Sequence, residues 1–223
     1  MQRSSYYKLE ESERNRLTWS INELINHYEL YEDIYAEKTS HNEYQWAYLA
    51  ATSSRHIDNW LRTDNLIGLS KRDRAAADNM KWIIEKENEP RMLLFANFAH
   101  LIKSEVKFPK SDTVSITQKV LGNYLSHRYG EKYKVIGNLH QFALGGKYAI
   151  PYTSDSIDGV EKHLVDKHFN NYYRDLKSTN DEIKNLLNKE WKLGSSQYPR
   201  FTNPYKSMDI LFFTKNQTFF SVE

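Results

Sequence analysis

Apolar residues at Leu17, Ile21, Leu24, Tyr28, Tyr31 and Tyr35 recur in steps of three and four, which predicts a helix with one apolar stripe. A second helix over 42–62 carries Tyr44, Ala47, Tyr48 and Ala51 on one face, and KTSHN between the two predicts a helical hairpin. In SKRDRAAADNMKWIIEKENEP, Ser70 and Asp73 have capping-box spacing and Pro90 follows the end. A third helix therefore starts at Ser70 and turns Ala76, Met80, Ile83 and Ile84 toward a core. RMLLFANFAHLI (91–102) has the unbroken apolar rhythm of a strand buried on both faces.

Beyond a polar loop containing Pro109, SITQKVLGNYLSHRYG (115–130) predicts a helix closed by Gly130 in a left-handed cap, with His127 and Arg128 well placed in its last turn. YKVIGNLHQF then predicts a strand, turned by Gly145 and Gly146 toward KYAIPY. DSIDGVEKHLVDKHF reads as helix, NNYYRDL as strand, and TNDEIKNLLNKEW as a helix capped by Asn180. SMDILFFTKN and TFFSVE read as two final strands joined by KNQT. The alternation predicts an α/β fold: a mostly parallel sheet covered by helices over 66–223, preceded by a helical hairpin or cap over 1–65.

Composition narrows the function classes. The 223 residues suffice for one large domain or two small ones. Thirty-one Lys and Arg against 29 Asp and Glu leave a net charge of +2 with no basic cluster, which argues against nucleic acid as a partner. The absence of cysteine removes disulfides, thiolate chemistry and cysteine zinc sites. MQRSSYYKLEESERN has no apolar core of a signal peptide, no stretch reads as a membrane span, and a cytoplasmic location is expected. No G-x-S-x-G elbow or P-loop occurs, so serine-nucleophile and nucleotide chemistry drop out.

The candidate chemistry gathers at a few positions. His100 ends the expected strand at 93–100, the edge where open α/β sheets bind ligands; the other reading is a histidine bonded to a loop carbonyl. Arg72 and Arg74 lie in the expected first turn of a helix, where a cation opposes the helix dipole, and a guanidinium there suits an oxyanion or carboxylate. Asp78 and Asn79 either bond across to the strand or pack, and His140 on the next strand is positioned to join His100 across the sheet edge. His127, His163 and His168 read as surface histidines, and the five-residue step from His163 to His168 does not make a metal pair. His56 and Asp58, near Arg55, line a cleft or face water. Trp19, Tyr28, Tyr31, Trp46, Tyr48 and Trp60 either wall a pocket for a bulky ligand or pack a core.

RDRAAADNMKWIIE (72–85), LLFANFAH (93–100) and LGNYLSHRYGEKYKVIG (121–137), in that order, resemble the erythromycin esterase family. EYQWAYLAA, SIDGVEKHL with YYRDL, and MDILFFTKN agree with its flanking segments. The resemblance takes in the carboxyl-terminal half of a typical member and lacks the "G-E-x-x-H" motif of the amino-terminal half. It implies hydrolysis of a carboxylic ester or macrolactone by activated water, without metal or other cofactor. The family pattern "W-A-H-N-x-H" falls on Phe95 to His100, so Asn97 stands at the first histidine position and His100 keeps the second. An amide does not exchange a proton near neutral pH, so that position has lost proton transfer. By this resemblance His100 and Arg72 are the catalytic candidates, with Asn97, Arg74, Asp78, Asn79 and His140 around them. The expectation is an esterase-like hydrolase, incomplete or weakened in this chain, acting on an ester or macrolide-like ligand. The alternative is a non-catalytic relative that retains a ligand cleft. A sheet edge left open beside RMLLFANF is expected to be covered by a second copy or a partner chain.

Overall fold

In the computed structural model, residues 3–63, 65–88, 91–109, 114–144, 152–153, 160–164, 171–193 and 200–218 are described. The chain divides into two compact units, Met1–Leu93 and Leu94–Glu223.

The first unit is helical: α1 (Arg3–Tyr6), α2 (Glu11–Leu30), α3 (Glu32–Lys38), α4 (His41–Leu61) and α5 (Asn65–Glu87). The expected hairpin forms, with Ser40 as the cap whose hydroxyl accepts from the Glu43 amide at 3.1 Å. α4 packs against α2, α3 and α5. α5 belongs with these helices, and the division between the units falls at residue 93. Ser70 is interior to α5, not its cap, since packing on α4 extends the helix back to Asn65. Asn88 ends it at φ 50, the left-handed geometry that Asn tolerates.

A buried acid ties this unit together. Asp58, on α4, accepts from Tyr6 Oη at 2.7 Å, Thr18 Oγ1 at 2.5 Å and Arg62 Nε at 3.2 Å, which joins α1, α2 and the end of α4. Burial first, and then the bond to Asp58, raises the Tyr6 phenol to about 12. Arg62 also reaches Asn15 Oδ1 at 3.0 Å.

The second unit mixes helices and strands: α6 (Phe98–Leu101), β1 (Val106–Pro109), β2 (Ser115–Gln118), α7 (Leu121–Tyr129), β3 (Ile136–Leu144), β4 (Tyr152–Thr153), β5 (Asn171–Asp175), α8 (Asp181–Leu187), β6 (Trp191–Leu193), β7 (Arg200–Thr202), α9 (Pro204–Ser207) and β8 (Ile210–Thr218). Among the described residues the strands form two four-stranded sheets, ordered β2-β1-β7-β6 and β4-β3-β8-β5. The α/β class holds, but the expected mostly parallel sheet does not. β3 and β8 are parallel, and the remaining pairs are antiparallel. A parallel pair needs a crossover of a dozen residues or more, and short links such as that from β1 to β2 return the chain antiparallel.

Three further expectations are corrected. Residues 91–97 are not a strand: they carry no helix, turn or ladder, and α6 follows. Leu93 is 89% exposed and Phe95 97%. No strand among the described residues pairs with this segment, and apolar composition without a partner for the backbone does not make a strand. His100 accordingly lies on a short helix, not at a strand end. SITQ is β2, not the start of a helix, pairing Val106 with Gln118 and Phe108 with Ile116; α7 begins only at Leu121. KNQT does not turn, because β8 runs on along β3 as far as Leu144 opposite Thr218.

β5 appears where expected; α7 and α8 are shorter than expected, α7 beginning at Leu121 and α8 running from Asp181, capped by Asn180 through the Ile183 amide at 3.0 Å, only to Leu187, with Trp191 opening β6. Gly130 takes φ +54 at the end of α7. Of DSIDGVEKHLVDKHF only a 3-10 turn at Val160–His163 and Leu164 are described; the Gly145 and Gly146 turn, His168 and TFFSVE beyond Thr218 lie outside the described residues. The core joins Val135 and Leu139 at β3, Leu211 and Phe213 of β8, and Val160, Leu164, Leu176, Leu187 and Met208.

Candidate functional site

The site is built on the turn from Asn97 to Ser104, which is held at nearly every residue. The Asn97 side chain accepts from the Ala99 amide at 3.0 Å, and its carbonyl accepts from the His100 amide at 2.8 Å. Phe98 packs against both core clusters of the unit. Tyr133 Oη donates to the Leu101 carbonyl at 2.7 Å. α7 presses on the same carbonyls: a Cβ on Gly122 would lie 2.0 Å from Leu101 O and 2.5 Å from Ile102 O, so glycine permits the approach. This is the physical content of the Leu121–Gly122 pair in the family-like helix.

Further along, the Lys103 amide donates to the Ser207 carbonyl at 3.0 Å and its carbonyl accepts from Asn123 Nδ2 at 2.9 Å. Lys103 Nζ sits 2.7–2.8 Å from the Asp209 carboxylate, which also accepts from the Val135 amide at 2.8 Å. Burial acts to raise the Asp209 carboxyl, but Lys103, the Val135 amide and Lys134 outweigh it and hold it below its ordinary range. Burial, and then the Asp209 charge, raises the Tyr133 phenol. Ser104, Thr202 and Ser207 close a triangle of hydroxyls at 2.6, 2.6 and 3.0 Å. The result is a rigid platform carrying a half-buried His100.

The other candidates divide between the units. Asn97, His100 and His140 are in the second; on the backbone, His140 stands opposite Thr214 of β8. Arg72, Arg74, Asp78 and Asn79 are in the first, within α5 rather than in its first turn, so the dipole argument for the arginines does not apply. The Arg72 guanidinium stacks 5.3 Å from the Trp60 ring centroid and bonds Asp73 Oδ1 at 3.3 Å. Arg74 pairs with Asp78 at 4.0 Å in solvent, and Asn79 Nδ2 donates to Ser53 Oγ at 3.0 Å, joining α5 to α4. His56 is lowered by burial first and by Arg55 second. Trp46 packs edge-on against Trp82, and Trp19 is exposed. His127 and His163 are exposed, His163 lying 5.0 Å from the Trp191 ring.

Sequence reasoning missed Tyr133, Gly122, Asp209 and the hydroxyl triangle. Gly122, a glycine inside a helical pattern with no capping role, was the one readable signal. A shallow cleft of about 240 Å³ is lined by Lys103, Glu105, Lys119, Asn123, Ser126 and His127. It is polar and below the usual ~300–1,000 Å³ of a site for a drug-sized ligand. Among the described residues no group of three or more His, Asp or Glu is arranged to hold a metal ion, and no helix is long and apolar enough to cross a membrane.

The fold has solved counterparts. A Bacillus cereus protein of 18% identity matches 97% of this chain and 55% of its own, with a TM-score of 0.73. A protein described as a succinoglycan biosynthesis protein matches 97% and 53% at 15% identity and a TM-score of 0.69. A mutant of erythromycin esterase EreC, in its open conformation, matches 96% and 55% at 13% identity and a TM-score of 0.71. The chain thus spans about half the length of the solved structures it matches. No curated protein matches it in sequence. The profile described as erythromycin esterase covers residues 1–214, and with nearly the whole chain inside that match, the protein belongs to the erythromycin esterase family.

Proposed function

We propose that this chain carries part of an esterase-like hydrolytic site, in which activated water attacks a carboxylic ester or macrolactone. Family membership over residues 1–214 carries this reading. The built platform under His100 supports it, because a group that orients water or a developing oxyanion must be held within a fraction of an ångström. In the proposed reaction His100 orients water or the carbonyl oxygen on which negative charge develops, a contribution of about 2.7–4 kcal/mol for one well-placed donor. Asn97 supplies no proton, so the base comes from outside this chain's own candidates. By the same reading the chain corresponds to the carboxyl-terminal half of a longer relative, the base is supplied by another polypeptide, and a second copy or partner chain covers the apolar 92–96 segment.

A second reading, a non-catalytic binding relative, is favoured by particular contacts. Asn97 is occupied as a helix cap, and Arg72 is already engaged by Asp73 and Trp60. The test is incubation with erythromycin and with an aryl ester, followed by mass spectrometry for the product that has gained one water. Hydrolysis abolished by His100→Ala supports the hydrolase. Binding of the macrolide with no ring-opened product, in wild type and variant alike, favours the binding protein.

A further inference from the structure

The first unit presents an apolar helix face that none of its described residues covers. α2 and α3 pack on α4 with the side that carries Ile25 and Tyr28, Tyr28 meeting Tyr44 at 6.1 Å. On the surface Leu24 is 48% exposed, Leu30 74%, Tyr31 38% and Ile34 46%, and α3 buries none of its residues. Leu30 and Ile34 stand one turn apart, Tyr31 beside them with its ring 4.5 Å from His27. A surface helix normally turns charge outward at such positions. Four side chains together expose on the order of 300 Å² of apolar surface, the size at which the largest patch of a monomer is often functional.

The charge around this face identifies its occupant. Between Ile21 and Gln45 lie six acids, Glu23, Glu29, Glu32, Asp33, Glu37 and Glu43, against one base, Lys38. That is a net −5 inside a chain of net +2. Asp33 and Glu37 lie on α3 with Ile34, and Glu23 is on α2, whereas Glu29 accepts from Tyr48 Oη of α4 at 2.6 Å and Glu32 interacts with Tyr44 of α4. An apolar stripe at one-turn spacing, bordered by carboxylates, complements a helix with an apolar stripe of the same spacing and a cationic border.

We propose that the outer face of α2 and α3, centred on Leu30, Tyr31 and Ile34, docks a basic amphipathic helical segment of another protein. Apolar side chains of that segment cover Leu30 and Ile34, and its Lys or Arg residues meet Glu23, Asp33 and Glu37. The inference is independent of the hydrolase reading. A leucine and lysine amphipathic helix, fluorescently labelled, is the probe, and the same helix with glutamate for lysine is its control. Anisotropy titration is expected to give saturable one-to-one binding of the lysine peptide, weakened by added salt, and none of the glutamate peptide. Leu30→Ser with Ile34→Ser leaves every charge in place and is expected to weaken binding at least about tenfold. Circular dichroism verifies that the variant is folded, as surface positions predict. No saturable binding, equal binding by the serine variant, or a dimer of the chain alone that the serine variant abolishes would each overturn the proposal.

Discussion

Gly122→Ala separates local propensity from tertiary contact by sign. Gly122 is the second residue of α7, where alanine is favoured over glycine by at most about 1 kcal/mol, so helix propensity alone predicts a gain. The structure predicts the reverse. A Cβ there lies 2.0 Å from Leu101 O and 2.2 Å from Leu101 C, against 3.4 Å or more for an ordinary contact. The obstacle is backbone, not the end of a flexible side chain, and the turn must move by more than an ångström relative to α7. Overpacking of this kind costs about 1–3 kcal/mol. Losing the 2.7 Å bond from Tyr133 to Leu101 O adds about 1 kcal/mol. After the gain in propensity, a net loss of about 2 kcal/mol remains, equivalent to a Tm lower by about 4–8 °C. Thermal unfolding followed by circular dichroism measures it, and the His100 ring resonances, carried on the displaced turn, should move as well. An alanine variant as stable as wild type, or more so, would refute the close approach of α7 to the turn that carries His100.

Further outcomes are expected at two buried carboxylates, Asp209 and Asp58. Asp209→Asn removes the charge that neutralises a largely buried Lys103 and lowers stability by about 2 kcal/mol in denaturant titration, less than for a fully buried pair because the carboxylate keeps some solvent. Because the folded carboxyl is held below its ordinary range, its contribution is present above about pH 4 and fades as pH falls through the lowered value; the asparagine variant should lack that part of the acid slope. In the first unit, Asp58→Ala leaves the Tyr6, Thr18 and Arg62 donors without their shared acceptor and costs about 3 kcal/mol, whereas Tyr6→Phe costs about 1 kcal/mol. With the Tyr6 phenol raised, wild-type stability from this bond persists to about pH 10 and is lost as pH rises toward 12.

What the chain alone determined is local. The helix over Leu17 to Leu30, the cap at Ser40, Asn180 before α8 and the left-handed Gly130 all follow from spacing and from side chains that bond their own backbone, interactions within a few residues, although the expected single helix to Tyr35 breaks at Tyr31. Family membership was legible for a related reason, because short motifs in fixed order survive where overall identity to solved relatives is only 13–18%. Tertiary structure decided whatever depends on a partner distant in sequence. LLFANF has strand composition but no described strand beside it, so its backbone stays out of any ladder, while weakly patterned SITQ becomes a strand because β1 lies alongside. β6 and β7, three residues each, exist only as ladder partners. The support beneath His100 is assembled the same way, from Tyr133, Asp209 and Ser207, which stand from about 30 to more than 100 residues away in sequence. A strand, or a platform for a histidine, is a property of two or more segments, and its energy appears only once they meet.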